Sequence, residues 1–130
     1  MKILIVEDEY TSRRLMEQHL SAYGECQTVG DGTGALKAYK EARAENDPYD
    51  LIALDIMLPD IDGYAVLEEI REIEHKEGLF GNDSTKVIMT TALADPKHIM
   101  RAFNDQCEAY LIKPIRKEHI DQALLELNLI

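Results

Sequence analysis

The sequence of 130 residues lacks several features that define other classes of protein. It contains two cysteines, Cys26 and Cys107, which are too few for a disulfide scaffold or a cysteine-bound metal knuckle. It has no apolar segment long enough to cross a membrane and no signal-peptide signature, so we expect a cytoplasmic protein. Basic residues are scarce, with 14 lysines and arginines against 25 aspartates and glutamates. The resulting net charge of −11 argues against a surface that gathers nucleic acid or anionic lipid.

Short apolar runs alternate with segments of helical periodicity along the chain, and no linker or low-complexity stretch interrupts them. The length suits one domain, which we place at residues 1–130. The predicted strands are residues 2–7, 25–29, 51–55, 86–90 and 109–112. After each strand, apolar residues recur three and four positions apart, which is typical of a helix with one apolar stripe. Nearly continuous apolar strands indicate a parallel sheet covered on both faces, a doubly wound α/β fold.

Polar residues at the ends of these strands form the candidate site. In an open parallel sheet the carboxyl ends of the strands share one edge, and ligands bind there. The residues at those ends are Glu7, Asp8, Asp55, Thr90, Thr91 and Lys113. Carboxylates suit Mg²⁺, and an ammonium group together with a hydroxyl suits a phosphate. The set therefore indicates phosphoryl transfer, with Asp55 as the nucleophile.

Each of these residues also has an ordinary interpretation. Glu7 and Asp8 alone would be a strand end and a helix cap, and Lys113 alone would be a surface lysine. Asp55 is harder to dismiss, because an acidic residue that closes an apolar run must be hydrated, paired or bound to a metal. Four such coincidences along one edge favour a functional site.

The same positions resemble response regulator receiver domains over the whole chain. The residues that carry the resemblance are Glu7 with Asp8, Asp55 with the segment 57–63, Thr91 with Ala92, and Lys113 with Pro114. The resemblance implies a flavodoxin-like, CheY-like fold with five parallel strands in the order 2-1-3-4-5 and five helices. It also implies a two-component signalling switch that promotes its own phosphorylation and dephosphorylation, and not an enzyme.

Four side chains take the family's phosphoryl-transfer and switching roles by position. Asp55 is implied to be the phosphoacceptor, with Thr91 and Lys113 as its catalytic partners. Tyr110, three residues before Lys113, is implied to move with Thr91 as the aromatic half of the switch. A tyrosine in a strand is also ordinary half-buried packing, so the role of Tyr110 depends on the resemblance.

The resemblance implies a Mg²⁺ cofactor as well. The carboxylates of Asp8 and Asp55 and the backbone carbonyl of Met57 would be its ligands. Glu7 would act on the metal through a water molecule.

The partners implied by the resemblance are proteins. A histidine kinase or histidine phosphotransfer protein would supply the phosphoryl group, and an unidentified downstream protein would bind helix 4, strand 5 and helix 5. We expect a monomer or a weak phosphorylation-dependent dimer, with no direct binding of nucleic acid or membrane. Lys97, Arg101, Arg116 and Lys117 predict a basic patch for an acidic partner on that surface, with solvated charges as the alternative.

Three other classes share part of this pattern. An aspartate-nucleophile phosphatase commonly places a second acid two residues after the nucleophile, where this chain has Met57. A nucleotide or flavin binder would need a glycine-rich phosphate loop after the first strand, where this chain has Glu7, Asp8 and Glu9. A degenerate receiver would lack competent residues at the acceptor site, whereas here every position is filled.

The chain departs from the family pattern around helix four. Gln106 and Cys107 stand where glycine and alanine are usual, and Ile115 stands where phenylalanine is common. The connection before strand four is also longer, and we expect its Leu79 and Phe80 to fold back onto the domain, with a loop that contacts a partner as the alternative. These departures concern the surface that would bind a partner.

Two apolar side chains bear on the lifetime of the phosphorylated state. Met57 and Leu93 stand two positions beyond the acceptor and the switch hydroxyl, where receivers control the approach of water. Neither side chain can orient a water molecule by hydrogen bonding. We therefore expect a long-lived aspartyl phosphate.

Overall fold

A computed structural model describes all 130 residues and confirms the doubly wound α/β fold. Its strands are β1 Lys2–Val6, β2 Glu25–Val29, β3 Leu51–Leu54, β4 Lys86–Thr91 and β5 Ala109–Ile112. All pairs are parallel, and the order is β2-β1-β3-β4-β5, as the resemblance implied. The ends of the predicted strands differ from the observed ends by at most one residue.

Helices cover both faces of the sheet and divide the core into two layers. They are α1 Tyr10–Leu20, α2 Gly32–Ala44, α3 Gly63–Lys76, α4 Pro96–Asn104 and α5 Lys117–Glu126, with a 3₁₀ turn at Gly81–Asp83. Buried residues of α2, α3 and α4 form the larger layer, and those of α1 and α5 form the smaller one. The central strand β3 is buried at every position, which explains its wholly apolar sequence. None of the helices combines the length and hydropathy that a bilayer crossing requires.

The N-terminus of α1 is capped by Glu9, and neither Glu7 nor Asp8 serves as the cap. The Glu9 carboxylate accepts hydrogen bonds from the backbone N–H groups of Thr11 at 3.1 Å and Ser12 at 2.6 Å. These bonds satisfy donors that the first helical turn leaves free. Asp8 is therefore not needed to cap the helix.

A buried polar network lies at the amino-terminal edge of the sheet. Arg71 donates to Glu74 at 2.6 Å and, through two bonds of 3.0 and 2.8 Å, to the carboxylate of Glu108. The second oxygen of Glu74 accepts from the hydroxyl of Tyr39 at 3.0 Å and from the backbone N–H of Thr85 at 2.8 Å. Burial and the charge of Glu74 raise the pKa of Tyr39, so its hydroxyl stays protonated as the donor. The network ties α2 and α3 to the segments that lead into β4 and β5.

Gln106, one of the departures from the family pattern, has a left-handed backbone. Its φ angle is 74°, a conformation that glycine adopts at no steric cost, which explains the family's usual glycine. The Gln106 carbonyl accepts a 2.9 Å hydrogen bond from Arg71, and Cys107 donates its backbone N–H to Ala102 at 3.1 Å. These bonds hold the turn after α4.

The expected folding back of the loop before β4 is confirmed only in part. Leu79 is half-buried, but Phe80 is exposed and contacts the ring of His75 with centroids 5.1 Å apart. An aromatic pair at the surface thus replaces the burial expected for Phe80.

We expect Glu74→Ala to lower the free energy of unfolding by about 3 kcal/mol, because it removes a buried partner from the guanidinium of Arg71. Urea unfolding followed by circular dichroism measures this change. Glu72→Ala is the matched control, since Glu72 pairs with Lys76 at the surface of the same helix. Its effect should stay below about 0.5 kcal/mol. Equal losses in the two variants would contradict a stabilising role for the buried network.

Candidate functional site

The sheet itself places the predicted site residues. Glu7 directly follows β1, Asp55 follows β3, Thr91 ends β4 and Lys113 follows β5. Beyond the strands, the backbone N–H of Asp55 donates to the backbone oxygen of Val6 at 3.1 Å. The backbone N–H of Lys113 donates to the backbone oxygen of Thr91 at 2.8 Å. The ladder therefore continues one residue past the strand ends and fixes the backbone of the site.

One lysine bridges two buried carboxylates. The Nζ atom of Lys113 donates to Oδ2 of Asp55 at 2.9 Å and also to Oε1 of Glu7. Asp55 is 4% exposed and Glu7 is 2% exposed, so both carboxylates have lost most of their hydration. Burial raises the pKa of Glu7, and the nearby charge of Asp55 raises it further, against the hydrogen bond from Lys113. Burial disfavours the charged form of Lys113, but its bonds to both carboxylates outweigh this and raise its pKa.

A third carboxylate completes an acidic cluster. Oxygen atoms of Glu7, Asp8 and Asp55 all lie within 4.8 Å of one another, and Asp8 is exposed. Three carboxylates with a single lysine leave excess negative charge, and oxygen donors of this kind suit a hard cation such as Mg²⁺. Both oxygens of Glu7 already have partners, Lys113 on one and the backbone N–H of Glu9, at 3.2 Å, on the other. Asp8, which is exposed, is therefore better placed than Glu7 to bind a cation directly.

The backbone after Asp55 is tightly constrained. Oδ1 of Asp55 accepts from the backbone N–H of Met57 at 3.1 Å, which keeps Met57 beside the carboxylate. Gly63 donates its N–H to Ile56 at 2.8 Å, and a Cβ atom on Gly63 would lie 2.3 Å from the backbone oxygen of Asp55. Only glycine fits there, which accounts for the glycine at the start of α3.

Leu93 links the two residues that the resemblance assigned to the switch. Thr91 is fully buried, and its hydroxyl oxygen accepts from the backbone N–H of Leu93 at 3.3 Å. The backbone oxygen of Leu93 in turn accepts from the hydroxyl of half-buried Tyr110 at 2.7 Å. Thr91 and Tyr110 are thus connected through one peptide segment between β4 and α4.

Helix α4 is held by few contacts. Ala102 is its one buried residue. The hydroxyl of Tyr64 donates to the backbone oxygen of His98 at 2.9 Å, and the guanidinium of Arg101 lies over the Tyr64 ring at 4.0 Å. His98 of α4 is half-buried, stacks on Tyr64 and lies 2.5 Å from a carboxylate oxygen of Asp95.

The surface of α4, β5 and α5 is more apolar than the predicted basic patch suggested. Arg101 contacts Tyr64, and Lys117 bonds to Asp121 on its own helix at 2.9 Å, so both charges are engaged locally. Phe103 of α4 is 47% exposed, and Ile112 of β5 is 40% exposed. Together with Tyr110 they line a groove between α4, β5 and α5. The sequence did not reveal this groove, because an amphipathic pattern alone does not show that α4 packs loosely.

Known proteins share both the sequence pattern and the fold. A family model described as "Response regulator receiver domain" matches residues 3–125. "Probable transcriptional regulator ycf27" of Galdieria sulphuraria is 33% identical over 124 residues, covering 95% of this chain and 43% of that protein. "Hybrid signal transduction histidine kinase L" of Dictyostelium discoideum is 32% identical over 123 residues, covering 95% of this chain and 7% of that protein.

A solved structure agrees with these matches. The CheY-like response regulator receiver domain protein of Methanospirillum hungatei JF-1 superimposes with a TM-score of 0.75 at 26% identity. The match covers 98% of this chain and 93% of that chain. By contrast, this chain spans less than half the length of the two curated relatives, so the likeness to them concerns one part of each.

We expect Lys113→Met to destabilise the metal-free protein by about 2 kcal/mol at pH 8, because two buried carboxylates lose their shared cation. Because the pKa of the Glu7 carboxyl is raised in the folded protein, protonation of Glu7 stabilises the fold at pH values below the ordinary carboxyl pKa of 4.5. This stabilisation is lost as the pH rises through the pKa of the folded state. Loss of Lys113 raises the pKa of Glu7 further, so the deficit should grow from pH 5 to pH 8.

Urea unfolding at pH 5, 6, 7 and 8 measures this dependence. Lys117→Met is the control, because Lys117 pairs with Asp121 at the surface. A deficit in Lys113→Met that is independent of pH would contradict the bridge as its origin.

Proposed function

Because this chain belongs to the response regulator receiver domain family, we propose that Asp55 accepts a phosphoryl group from a phosphohistidine. The donor would be a histidine kinase or a histidine phosphotransfer protein. The observation that carries this proposal is the buried Asp55 carboxylate, bridged by Lys113 to Glu7 and adjoined by Asp8. Proteins of this family act in two-component signalling as phosphoacceptor switches.

Transfer requires an oxygen of Asp55 to attack phosphorus in line with the departing imidazole nitrogen. A P–O bond forms, the P–N bond breaks, and the imidazole takes up a proton as it leaves. The bonds from Met57 and Lys113 orient the two carboxylate oxygens before the attack, which lowers the entropy cost of reaching the transition state.

Charge neutralisation is the second requirement. Lys113 already lies against Asp55, so its ammonium group can follow the negative charge onto the phosphoryl oxygens. Mg²⁺, bound by Asp8, Asp55 and the backbone carbonyl of Met57, would neutralise further charge on the same oxygens. Glu7 would contribute through water and by holding Lys113 in place.

Phosphorylation would alter the contacts that Leu93 makes with Thr91 and Tyr110. A phosphoryl oxygen is a charged acceptor for the Thr91 hydroxyl, and hydrogen bonds to charged acceptors are among the strong ones. Turning that hydroxyl towards the phosphate breaks its 3.3 Å bond with the N–H of Leu93, and movement of this segment displaces the oxygen that Tyr110 binds. Tyr110 is then free to move inward, and loosely packed α4 follows as an existing equilibrium shifts.

The output surface would be the groove between α4, β5 and α5. Tyr110 lines this groove beside Phe103 and Ile112, so movement of Tyr110 changes its shape directly. Exposed apolar side chains of this kind suit a protein partner. We propose a downstream protein as that partner, and a monomer or a weak phosphorylation-dependent dimer as the state of the chain.

The side chain of Met57 favours a switch over a phosphatase. A hydrolase of phosphoesters needs a general acid beside the nucleophile, and an exposed thioether cannot supply a proton.

Treatment with acetyl phosphate and Mg²⁺ should add one phosphoryl group to the wild type, located on Asp55 by peptide mass spectrometry. Asp55→Ala should remove the label, and Asp8→Asn or omission of Mg²⁺ should reduce it at least tenfold because the cation site is lost. Asp83→Asn, in the exposed turn before β4, is the control and should label normally. Label that persists in Asp55→Ala at the wild-type level would overturn the proposal.

The phosphorylated state should be long-lived, because Met57 and Leu93 are apolar and lie beside Asp55 and Thr91. The double variant Met57→Asn with Leu93→Glu introduces side chains that can orient a water molecule, and its phosphate should be lost about tenfold faster. Decay of purified phosphoprotein in Mg²⁺ measures the rate. Leu125→Glu is the control, because Leu125 is exposed on α5. If the phosphate of the double variant is lost at the same rate as that of the control, the shielding role is contradicted.

A further inference from the structure

Asp60 lies five residues after the acceptor, in the connection between β3 and α3. Its Oδ1 atom accepts from the backbone N–H of Gly32 at 2.8 Å. Its Oδ2 atom accepts from the backbone N–H of Thr33 at 2.9 Å and from the Thr33 hydroxyl at 2.5 Å. All these donors belong to the first turn of α2, a different element of the fold. None of the roles described above involves Asp60.

Helix α2 already has a cap of its own. Asp31 accepts from the backbone N–H of Gly34 at 2.6 Å, which leaves the N–H groups of Gly32 and Thr33 for another acceptor. Hydrogen bonds from Thr33 hold the pKa of the Asp60 carboxyl well below its usual range, even though the side chain is exposed. The bonds are therefore made by a charged carboxylate at a helix N-terminus, where the helix dipole favours it.

A second contact docks the same connection on α2. A Cβ atom on Gly32 would lie 2.4 Å from Cγ1 of Ile61, so the backbone of the helix and the side chain of Ile61 are in close contact. Ile61 is half-buried and packs against the larger core layer. Asp60 and Ile61 thus attach the connection to α2 by polar and apolar contacts together.

The connection needs this attachment because its acceptor-proximal part is exposed. Met57, which is 60% exposed, and Pro59 are both exposed, and Leu58 between them is half-buried against the larger core layer. On its acceptor side the segment is held by the bond between Met57 and Asp55. Helix α2, by contrast, has six buried residues, which makes it a rigid support.

We propose that Asp60 is a positioning residue, which anchors the acceptor connection on α2 and thereby holds the backbone carbonyl of Met57 where the cation binds. The inference rests on the proposed function, because it concerns the metal and phosphoryl site. Met57 lies between two polar attachment points, Asp55 on one side and Asp60 on the other, and only half-buried Leu58 adds apolar packing between Met57 and Asp60. Loss of the second point lets the carbonyl leave its binding position, and the apparent affinity for Mg²⁺ falls with the fraction of molecules in the competent arrangement.

The competing role for Asp60 is that of a plain helix cap. Asp31→Ala is the matched control, because it removes a cap from the same helical turn and leaves the acceptor connection attached. Asp60→Ala and Asp31→Ala should lower the melting temperature by similar amounts. Only Asp60→Ala should change the metal site.

Titration calorimetry with MgCl₂ and labelling with acetyl phosphate test the proposal on the full chain. We expect Asp60→Ala to raise the Mg²⁺ dissociation constant about tenfold, which is typical for loss of a residue that supports a metal ligand, and Asp31→Ala to raise it less than twofold. Asp60→Asn should restore part of the affinity, since its carbonyl oxygen still accepts one bond. Equal dissociation constants for Asp60→Ala and Asp31→Ala would overturn the proposal.

A milder variant serves if Asp60→Ala fails to fold. Thr33→Val removes only the hydroxyl bond and should raise the dissociation constant about twofold to threefold, and an unchanged constant would overturn the inference. Wild-type protein that neither binds Mg²⁺ nor becomes labelled would refute the proposed function itself. If the wild type binds Mg²⁺ and becomes labelled, and the Asp60 and Thr33 variants bind Mg²⁺ with the same affinity as the wild type, the positioning role alone is refuted.

Discussion

Two buried carboxylates side by side cost free energy, because each has lost its hydration and each repels the other. Glu7 and Asp55 are in this position, and the ammonium group of Lys113 makes the arrangement stable without a metal. The lysine follows β5, the last strand on one side of the sheet, whereas the carboxylates follow β1 and β3. The site therefore depends on the whole sheet, since the bridge forms only when three strands end at the same level.

The two edges of the sheet differ in how firmly they are held. At the amino-terminal edge, Arg71 and Glu74 are buried and bonded to several elements, so this end resists rearrangement. At the carboxyl edge, α4 buries Ala102 alone; the Tyr64 hydroxyl bonds to His98 of α4, and the Tyr110 hydroxyl bonds to Leu93 in the segment before it. Bonds of this kind exchange with water at little net cost, so α4 can shift without disturbing the core.

The strands and most of the site could be predicted because both follow from local patterns. A buried parallel strand needs an apolar run, and the polar residue after it must lie at the carboxyl edge, which located Glu7, Asp55 and Lys113. What could not be predicted depends on contacts distant in sequence. Arg71 and Glu74 read as a surface pair on a helix until Thr85 and Glu108 are seen beside them. Phe103 likewise belongs to an apolar stripe, and only the loose packing of α4 leaves it exposed.

The helix N-termini explain why the negative charge concentrates where it does. In this fold helices begin at the edge where strands end, so positive helix ends surround the site. Glu9 binds the first turn of α1, Asp60 that of α2 and Asp62 that of α3, so these carboxylates are stabilised without any cation. Of the remaining carboxylates, Glu7 and Asp55 share Lys113, and Asp8 lies within 4.8 Å of both. The helix ends thus stabilise the neighbouring acids and leave Glu7, Asp8 and Asp55 as one point of excess negative charge, which favours a cation.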